Sequence, residues 1–227
     1  MRFEEWEPVY EAILADFGYP RSADEEARDL LAAHTREFDW STLGHVAGAT
    51  VAIAGGAGRL ADDLAVVDSA GVVFAASNAA QVLRDVGISV DLMTTDLDKV
   101  PETAVDLSKA GIPVAVHAHG DNMSALRRWL SEFDPDAVLP TTQAEPVGPV
   151  ENVGGFTDGD RAAFLADHLG AATLRFPGWD FDDPTLSPEK RKKLRWAERL
   201  LLWLETRRDD QFDLLDGRRD DIEPLPA

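Results

Sequence analysis

From Gly48 onward the chain carries short continuous apolar runs separated by stretches of helical periodicity, and few architectures satisfy that pattern. The runs fall at 50–54, 72–76, 90–93, 114–117, 137–139 and 173–176. A strand that is apolar on both faces must be covered on both faces, as in parallel sheets and unlike hairpin sheets with one wet side. The intervening helices supply the cover. The pattern therefore predicts an α/β fold, a mostly parallel sheet with helices on both faces.

Ahead of the sheet, Trp6, Val9, Tyr10, Ile13, Leu14 and Phe17 recur at three- and four-residue steps, the mark of a helix that Gly18 and Pro20 end. A second helix is expected from about Ala23 with Leu30 and Leu31 inward, so residues 1–45 read as a helical N-terminal extension. The sheet core is expected over 48–180 and a C-terminal helix over 188–208, with Leu194, Ala197, Leu201 and Leu204 on its apolar stripe. No repeat or low-complexity linker divides the chain, so 1–227 reads as one α/β domain whose polar tail DDIEPLPA frays.

Composition removes several function classes. An apolar fraction of 44% in 227 residues fits a globular chain, and no apolar run approaches the length that crosses a bilayer. The opening MRFEEWEPVY is acidic and mixed, unlike a secretory leader, so a cytoplasmic protein is expected. The absence of cysteine excludes disulfides, thiolate metal sites and cysteine nucleophiles. Asp and Glu number 42 against 22 Lys and Arg, a net charge of −20 that disfavours nucleic acid and membrane surfaces as partners. Lysine is confined to Lys99, Lys109, Lys190, Lys192 and Lys193. A carboxylate-rich, lysine-poor surface suits concentrated salt, where screening removes self-repulsion, and points to a halophilic source.

In parallel sheets ligands collect at the carboxyl ends of the strands. The first strand runs into Gly55-Gly56-Ala57-Gly58-Arg59-Leu60, where Gly56, Gly58 and Ala61 match the spacing of dinucleotide-binding turns. The acidic half of that fingerprint is missing, because the next strand ends in Ser77-Asn78; the turn either contacts a ligand or packs tightly. The third strand ends Thr94-Thr95-Asp96-Leu97-Asp98. In an extended segment the two carboxylates project to one side and repel unless they share a proton or a cation such as Mg²⁺.

The fourth strand gives His117-Ala118-His119-Gly120-Asp121-Asn122. Helix capping explains part of this cluster, and phosphate, metal or substrate contact explains its density. An H-x-H zinc site with Asp121 is one alternative. Further on, Gly154-Gly155-Phe156-Thr157-Asp158-Gly159-Asp160-Arg161-Ala162 combines a permissive loop, two acids and a guanidinium fork suited to phosphate. The bases at 190–193 sit at a helix start, where the dipole prefers acids, so a polyphosphate is one account of them and a solvated helix start another.

In order and spacing, TDLD (95–98), HAHGDN (117–122), TTQ (141–143), GGFTDGDRA (154–162), GWDF (178–181) and KKL (192–194) resemble archaeal 6-hydroxymethyl-7,8-dihydropterin pyrophosphokinases of the MptE type. The core of that family is similar to thiamine pyrophosphokinase, a Rossmann-like parallel sheet, and the resemblance spans nearly the whole chain. The chain departs from the family at Gly58-Arg59, in place of a proline and a serine, and at Ser77-Asn78, in place of an aspartate-glycine pair.

The resemblance implies Mg²⁺-dependent transfer of diphosphate from ATP to a reduced pterin, releasing AMP, in folate or methanopterin biosynthesis. It implies Mg²⁺ on Asp96, Asp98 and Asp121, with His119 and Asn122 orienting phosphate or the attacking hydroxyl. Gly56, Gly58, Thr95, Asp158, Asp160, Arg161 and Lys192 would serve ATP, with Asp158 or Asp160 instead holding a second metal or the pterin edge. A homo-oligomer is compatible with all of this. The alternatives are thiamine as acceptor, a non-catalytic nucleotide-binding module, or a zinc hydrolase using His117, His119 and Asp121.

Overall fold

The computed structural model describes residues 1–225. In chain order the elements are α1 (Phe3–Phe17), α2 (Arg21–His34), β1 (Thr50–Ala54), α3 (Leu64–Asp68), β2 (Val72–Ala76), α4 (Ala79–Asp85) and β3 (Leu92–Thr95). There follow α5 (Pro101–Lys109), β4 (Val114–Ala118), α6 (Met123–Trp129), β5 (Val138–Thr142), α7 (Asp158–His168), β6 (Thr173–Arg175) and α8 (Pro188–Arg208). The six strands form one sheet in the order β5-β4-β3-β2-β1-β6, with every pairing parallel. The expected α/β class and the helical additions at both ends are what the structure has.

Alternation along the strands sorts the apolar residues into two layers. Val51, Ile53, Val72, Phe74, Leu92, Ala115 and Leu139 face a core that holds α1, α7 and α8. Ala54, Val73, Ala75, Met93, Val114, Val116 and Val138 face the other, with Ala27 and Leu31 of α2, Leu83 of α4, Leu107 of α5 and Leu126 of α6. Each large aliphatic side chain removed from water contributes roughly 1.5–3 kcal/mol, so both sides of the sheet are anchored by the same effect. Gly18, at φ 72°, closes α1 with its N–H on the Leu14 carbonyl. Ser187 caps α8 by accepting the Lys190 N–H.

Three expectations shift. β3 and β5 run on through Thr94, Thr95, Thr141 and Thr142, past the apolar runs at 90–93 and 137–139. These threonines are buried with their hydroxyls engaged, so they extend the strands without a desolvation penalty. The helical N-terminal extension is not α-helix throughout: α2 ends at His34, and after the irregular residues 35–39 a 3-10 helix, Trp40–Val46, capped by Asp39, completes it. The tail is held rather than frayed over 220–225: Arg199 donates to the carbonyls of Glu223 and Pro224 at 3.0 and 2.7 Å. Pro226 and Ala227 of that tail lie outside the described residues. Among the described residues no helix is long and apolar enough to cross a membrane.

The turn after β1 passes so close to the segment after β6 that side chains are excluded. A Cβ on Gly55 would lie 2.6 Å from the Gly178 carbonyl oxygen, and one on Gly178 2.5 Å from that of Gly55. Gly55→Ala should therefore cost about 1–3 kcal/mol in urea denaturation, the usual penalty for overpacking. Gly58→Ala, where a Cβ meets nothing within 4 Å, should change stability by less than about 0.5 kcal/mol. Equal effects of the two substitutions would contradict this packing.

Candidate active site

The end of β3 is a tight turn. Thr95 Oγ1 accepts the Leu97 N–H at 2.9 Å, and Asp96 Oδ1 accepts the Asp98 N–H at 3.1 Å. Leu97 sits between them in the left-handed region, at φ 66°, while its side chain is buried. That conformation costs roughly 1–2 kcal/mol and the buried side chain offsets it. The turn, and not the alternation of an extended segment, brings the two carboxylates together. Thr95, expected on the nucleotide, is fully buried and uses its hydroxyl to shape this turn.

A third acid arrives from α7. Thr94 Oγ1 donates to the Asp158 carbonyl at 2.8 Å and pins the start of α7 over the end of β3. Asp96, Asp98 and Asp158 thereby each place a carboxylate oxygen within 4.8 Å of the others. Asp121, the expected third ligand, is not in this group. It stands exposed on the short 3-10 turn after β4, where its N–H donates to His119 Nδ1.

The three acids hold their protons unequally. Burial works against ionised Asp96, but hydrogen bonds from His119 and Asp98 outweigh it and hold its carboxyl well below the usual range. Burial, and then the neighbouring Asp96, pushes Asp98 up to about 6. Burial and the charge of Asp96 push Asp158 well above an ordinary carboxylate. Three converging oxygen donors whose charges resist one another fit a hard divalent cation that keeps part of its water, as Mg²⁺ does. The histidines do not form the alternative zinc site. His119 Nδ1 accepts from Asp121 and Nε2 faces Asp96 Oδ2 at 3.4 Å, while His117 Nδ1 faces Thr141 Oγ1 at 3.2 Å. Among the described residues, the one group of three converging potential ligands is Asp96, Asp98 and Asp158.

Two residues expected at the site, Asn122 to orient phosphate or the hydroxyl and Asp160 to serve ATP, metal or pterin, make their hydrogen bonds within the protein. Asn122 Nδ2 donates to the carbonyls of Asp96 and His117 at 2.8 and 2.7 Å, and its Oδ1 accepts the His119 N–H at 3.0 Å. Both ends of the amide are spent on tying β3 to β4. Asp160, fully buried, accepts the N–H groups of Phe156 and Thr157 at 2.7 and 2.8 Å as the capping box of α7. With its oxygens committed, Asp160 is unsuited to metal or pterin. Gly155, at φ 93°, lets the loop close on α7, where any Cβ would collide with the Arg161 backbone. Arg161 is buried and donates to Asp158 Oδ1 at 3.2 Å and to the Phe156 carbonyl at 2.9 Å, with Nε left unpartnered.

Asp96, Asp98, Asp158 and Arg161 line a cleft of about 360 Å³ across the carboxyl ends of the strands, together with Gly56, Gly58, His119 and Asp121. Gly56 leaves no room for a Cβ against Asn78, whereas Gly58 faces open space. Lys192 is placed elsewhere: its Nζ lies 2.9 Å from Asp16 Oδ1 and over the Phe17 ring. One helical face round, Lys190 and Lys193 line the cleft, as does Lys99. Burial, and then Lys99, lowers the affinity of the Lys190 amine for its proton.

Sequence reasoning missed Asp24 of α2. Buried, it accepts from Tyr10 Oη at 2.9 Å, Gln143 Nε2 at 2.7 Å and the Gly120 N–H at 2.8 Å, fastening the N-terminal helices to the ends of β4 and β5. Between Ala23 and Glu25-Glu26 in an acidic helix, it carries no signal of that role in the sequence.

A family model described as 6-hydroxymethylpterin diphosphokinase MptE-like matches residues 31–185. Three relatives carry the name 6-hydroxymethyl-7,8-dihydropterin pyrophosphokinase. The protein of Methanothermobacter thermautotrophicus is 36% identical over 232 residues, covering 94% of this chain and 99% of the relative. That of Pyrococcus furiosus is 37% identical over 223 residues, covering 90% and 95%. That of Methanocaldococcus jannaschii is 28% identical over 240 residues, covering 93% and 99%. On this match over most of its length, the chain belongs to the MptE-like 6-hydroxymethylpterin diphosphokinase family.

Proposed function

We propose that the protein transfers a diphosphoryl group from ATP to the hydroxymethyl oxygen of 6-hydroxymethyl-7,8-dihydropterin, with Mg²⁺ held by Asp96, Asp98 and Asp158. The hydroxymethyl oxygen forms a bond to the β-phosphorus, the bond from that phosphorus to the α,β-bridging oxygen breaks, AMP leaves, and the hydroxyl proton passes to solvent. The observation that carries the reading is the convergence of three carboxylates within 4.8 Å in a glycine- and lysine-lined cleft, in a chain of this family.

Phosphoryl-type transfer asks little covalent chemistry of a protein, and most of the work is alignment and neutralisation of charge. A bound divalent ion supplies local positive charge to the phosphate oxygens, so a chain of net charge −20 can hold a triphosphate. The chain's own groups do the rest. His119 Nε2 faces Asp96 Oδ2 and steadies that carboxylate in its ionised form. Lys99, Lys190 and Lys193 add cations on the wall of the cleft. Arg161 orients Asp158 through its Nη1.

Purified protein given ATP, Mg²⁺ and the reduced pterin should release AMP in step with pterin consumption, read by chromatography. Release of ADP would contradict the proposal. Asp96→Asn should lower the rate at least about 100-fold, on the scale of losing a central electrostatic group. An Asp96→Asn protein as active as the parent would contradict the metal assignment.

A carboxyl must shed its proton to hold a cation. With Asp98 at about 6 and Asp158 also raised, Mg²⁺ affinity should weaken at least about tenfold between pH 7 and pH 5. Calorimetry at pH 6 in two buffers of different ionisation enthalpy should show proton release on Mg²⁺ binding. Identical heats in the two buffers would contradict the shared-charge arrangement.

A further inference from the structure

Lysine is scarce in this chain, and three of its five lysines line one cleft. Lys99 comes from the loop between β3 and α5, while Lys190 and Lys193 stand three residues apart near the start of α8, on one helical face. The other two have local explanations. Lys192 lies on Asp16, and Lys109 sits in the last turn of α5, where the helix dipole favours a base. No such explanation covers the cleft lysines. Half-buried Lys190 stands in the first turn of α8, where the dipole opposes it. Among the described residues, Lys99 and Lys190 have no carboxylate within ion-pair distance, and Lys193 has the largely exposed Glu189 of its own helix, at 3.4 Å. Acids outnumber bases by 42 to 22, so partners are not scarce.

Grouping these cations is unfavourable by itself. Burial, and then Lys99, opposes the charge of Lys190, and Lys193 adds to the repulsion against the pull of Asp158 and Asp160. The same lysines reach the acids, since Lys99 and Lys190 act on Asp98, and Lys190 on Asp158. Formal charge then says what the cleft can hold. Three ionised carboxylates, the Arg161 guanidinium paired with Asp158 and one divalent ion together carry no net charge. Such a set orients a phosphate chain without offsetting the charge of the chain itself, and Asp121, Asp180 and Asp183 on the cleft wall repel it. Ammonium groups are compact point charges on flexible stems, suited to successive phosphates.

We propose that Lys99, Lys190 and Lys193 form a clamp on the polyphosphate of the donor nucleotide, supplying the positive charge that the acids and their metal cannot. This deepens the function proposed above and rests on it for the identity of the nucleotide. It gives the start of α8 and the β3–α5 loop a role in holding the donor and none in holding the acceptor.

The test uses the intact chain, with inorganic triphosphate and Mg²⁺ as the probe in calorimetric titration, beside the KM for ATP and for the reduced pterin. Lys190→Gln should weaken triphosphate binding and raise the KM for ATP about tenfold, the scale of one charge-assisted hydrogen bond, with the pterin KM within about twofold. Lys99→Gln, at a more exposed position, should act in the same direction by about threefold. Lys190→Arg keeps the charge and should recover triphosphate binding to within about threefold of the parent. Lys109→Gln should match the parent. Because its surroundings oppose the charge that is removed, ligand-free Lys190→Gln should melt no lower than the parent. A lower melting point with loss of both substrates would mark Lys190 as structural and overturn the clamp. If Lys190→Gln and Lys99→Gln bind triphosphate like the parent, or if the pterin KM rises in place of that for ATP, the clamp is overturned while the function stands. If the unsubstituted protein binds triphosphate through these lysines but releases no AMP from ATP and the reduced pterin, the clamp is supported and the function proposed above falls.

Discussion

Three carboxylates held within 4.8 Å of one another repel, and the rest of the site is arranged around that repulsion. At an effective dielectric of about 20, two unit charges 4 Å apart oppose each other by roughly 4 kcal/mol. The fold tolerates the cluster by letting protons stand in for a cation: Asp98 and Asp158 hold theirs more tightly than free carboxyls, while His119 keeps Asp96 ionised. A divalent metal held by the same oxygens, as proposed, would take the place of those protons. The cluster survives folding because backbone and buried polar groups enforce it from three directions: Thr95 at the turn, Thr94 on the start of α7, and Asn122 between β3 and β4.

Those enforcing groups also link the site to the sheet. Parallel strands buried on both faces supply a rigid platform, and the polar residues that continue β3 and β5 past their apolar runs are the ones that hold the loops. The N-terminal helices join the same platform through Asp24 and through Trp6 Nε1, which donates to the Gln143 carbonyl at 2.8 Å. Binding groups on loops are thus positioned by hydrogen bonds to strand ends.

Much of the fold was legible because hydrophobic periodicity reports burial directly. β1, β2 and α8 fall at the residues their apolar patterns mark, and the sheet class follows from runs apolar on both faces. β3 and β5 were misplaced by one to three residues because a threonine with a satisfied hydroxyl extends a strand, and the sequence does not display the partner. The site was legible in its residue types and less so in its roles. Asp96 and Asp98 announce themselves by spacing, though what unites them is a left-handed Leu97 that no propensity favours. Asp158 rather than Asp121 converges with Asp96 and Asp98, and Asp160 and Asn122 spend their oxygens and amide on neighbouring backbone, because the direction of a carboxylate or amide depends on long-range packing. Lys192 and Lys190 differ by helical phase alone, and the side of α8 that meets the cleft is fixed by tertiary contact with α1.

The proposed chemistry depends on where a divalent ion sits. Anomalous diffraction from a crystal of the protein soaked with Mn²⁺ and a non-hydrolysable ATP analogue reads that position directly. The prediction is an anomalous peak in ligand contact with carboxylate oxygens of Asp96, Asp98 and Asp158 and with the analogue's phosphates. A peak bound by His117, His119 or Asp121 in place of those acids, or no peak while the nucleotide is ordered, would contradict it.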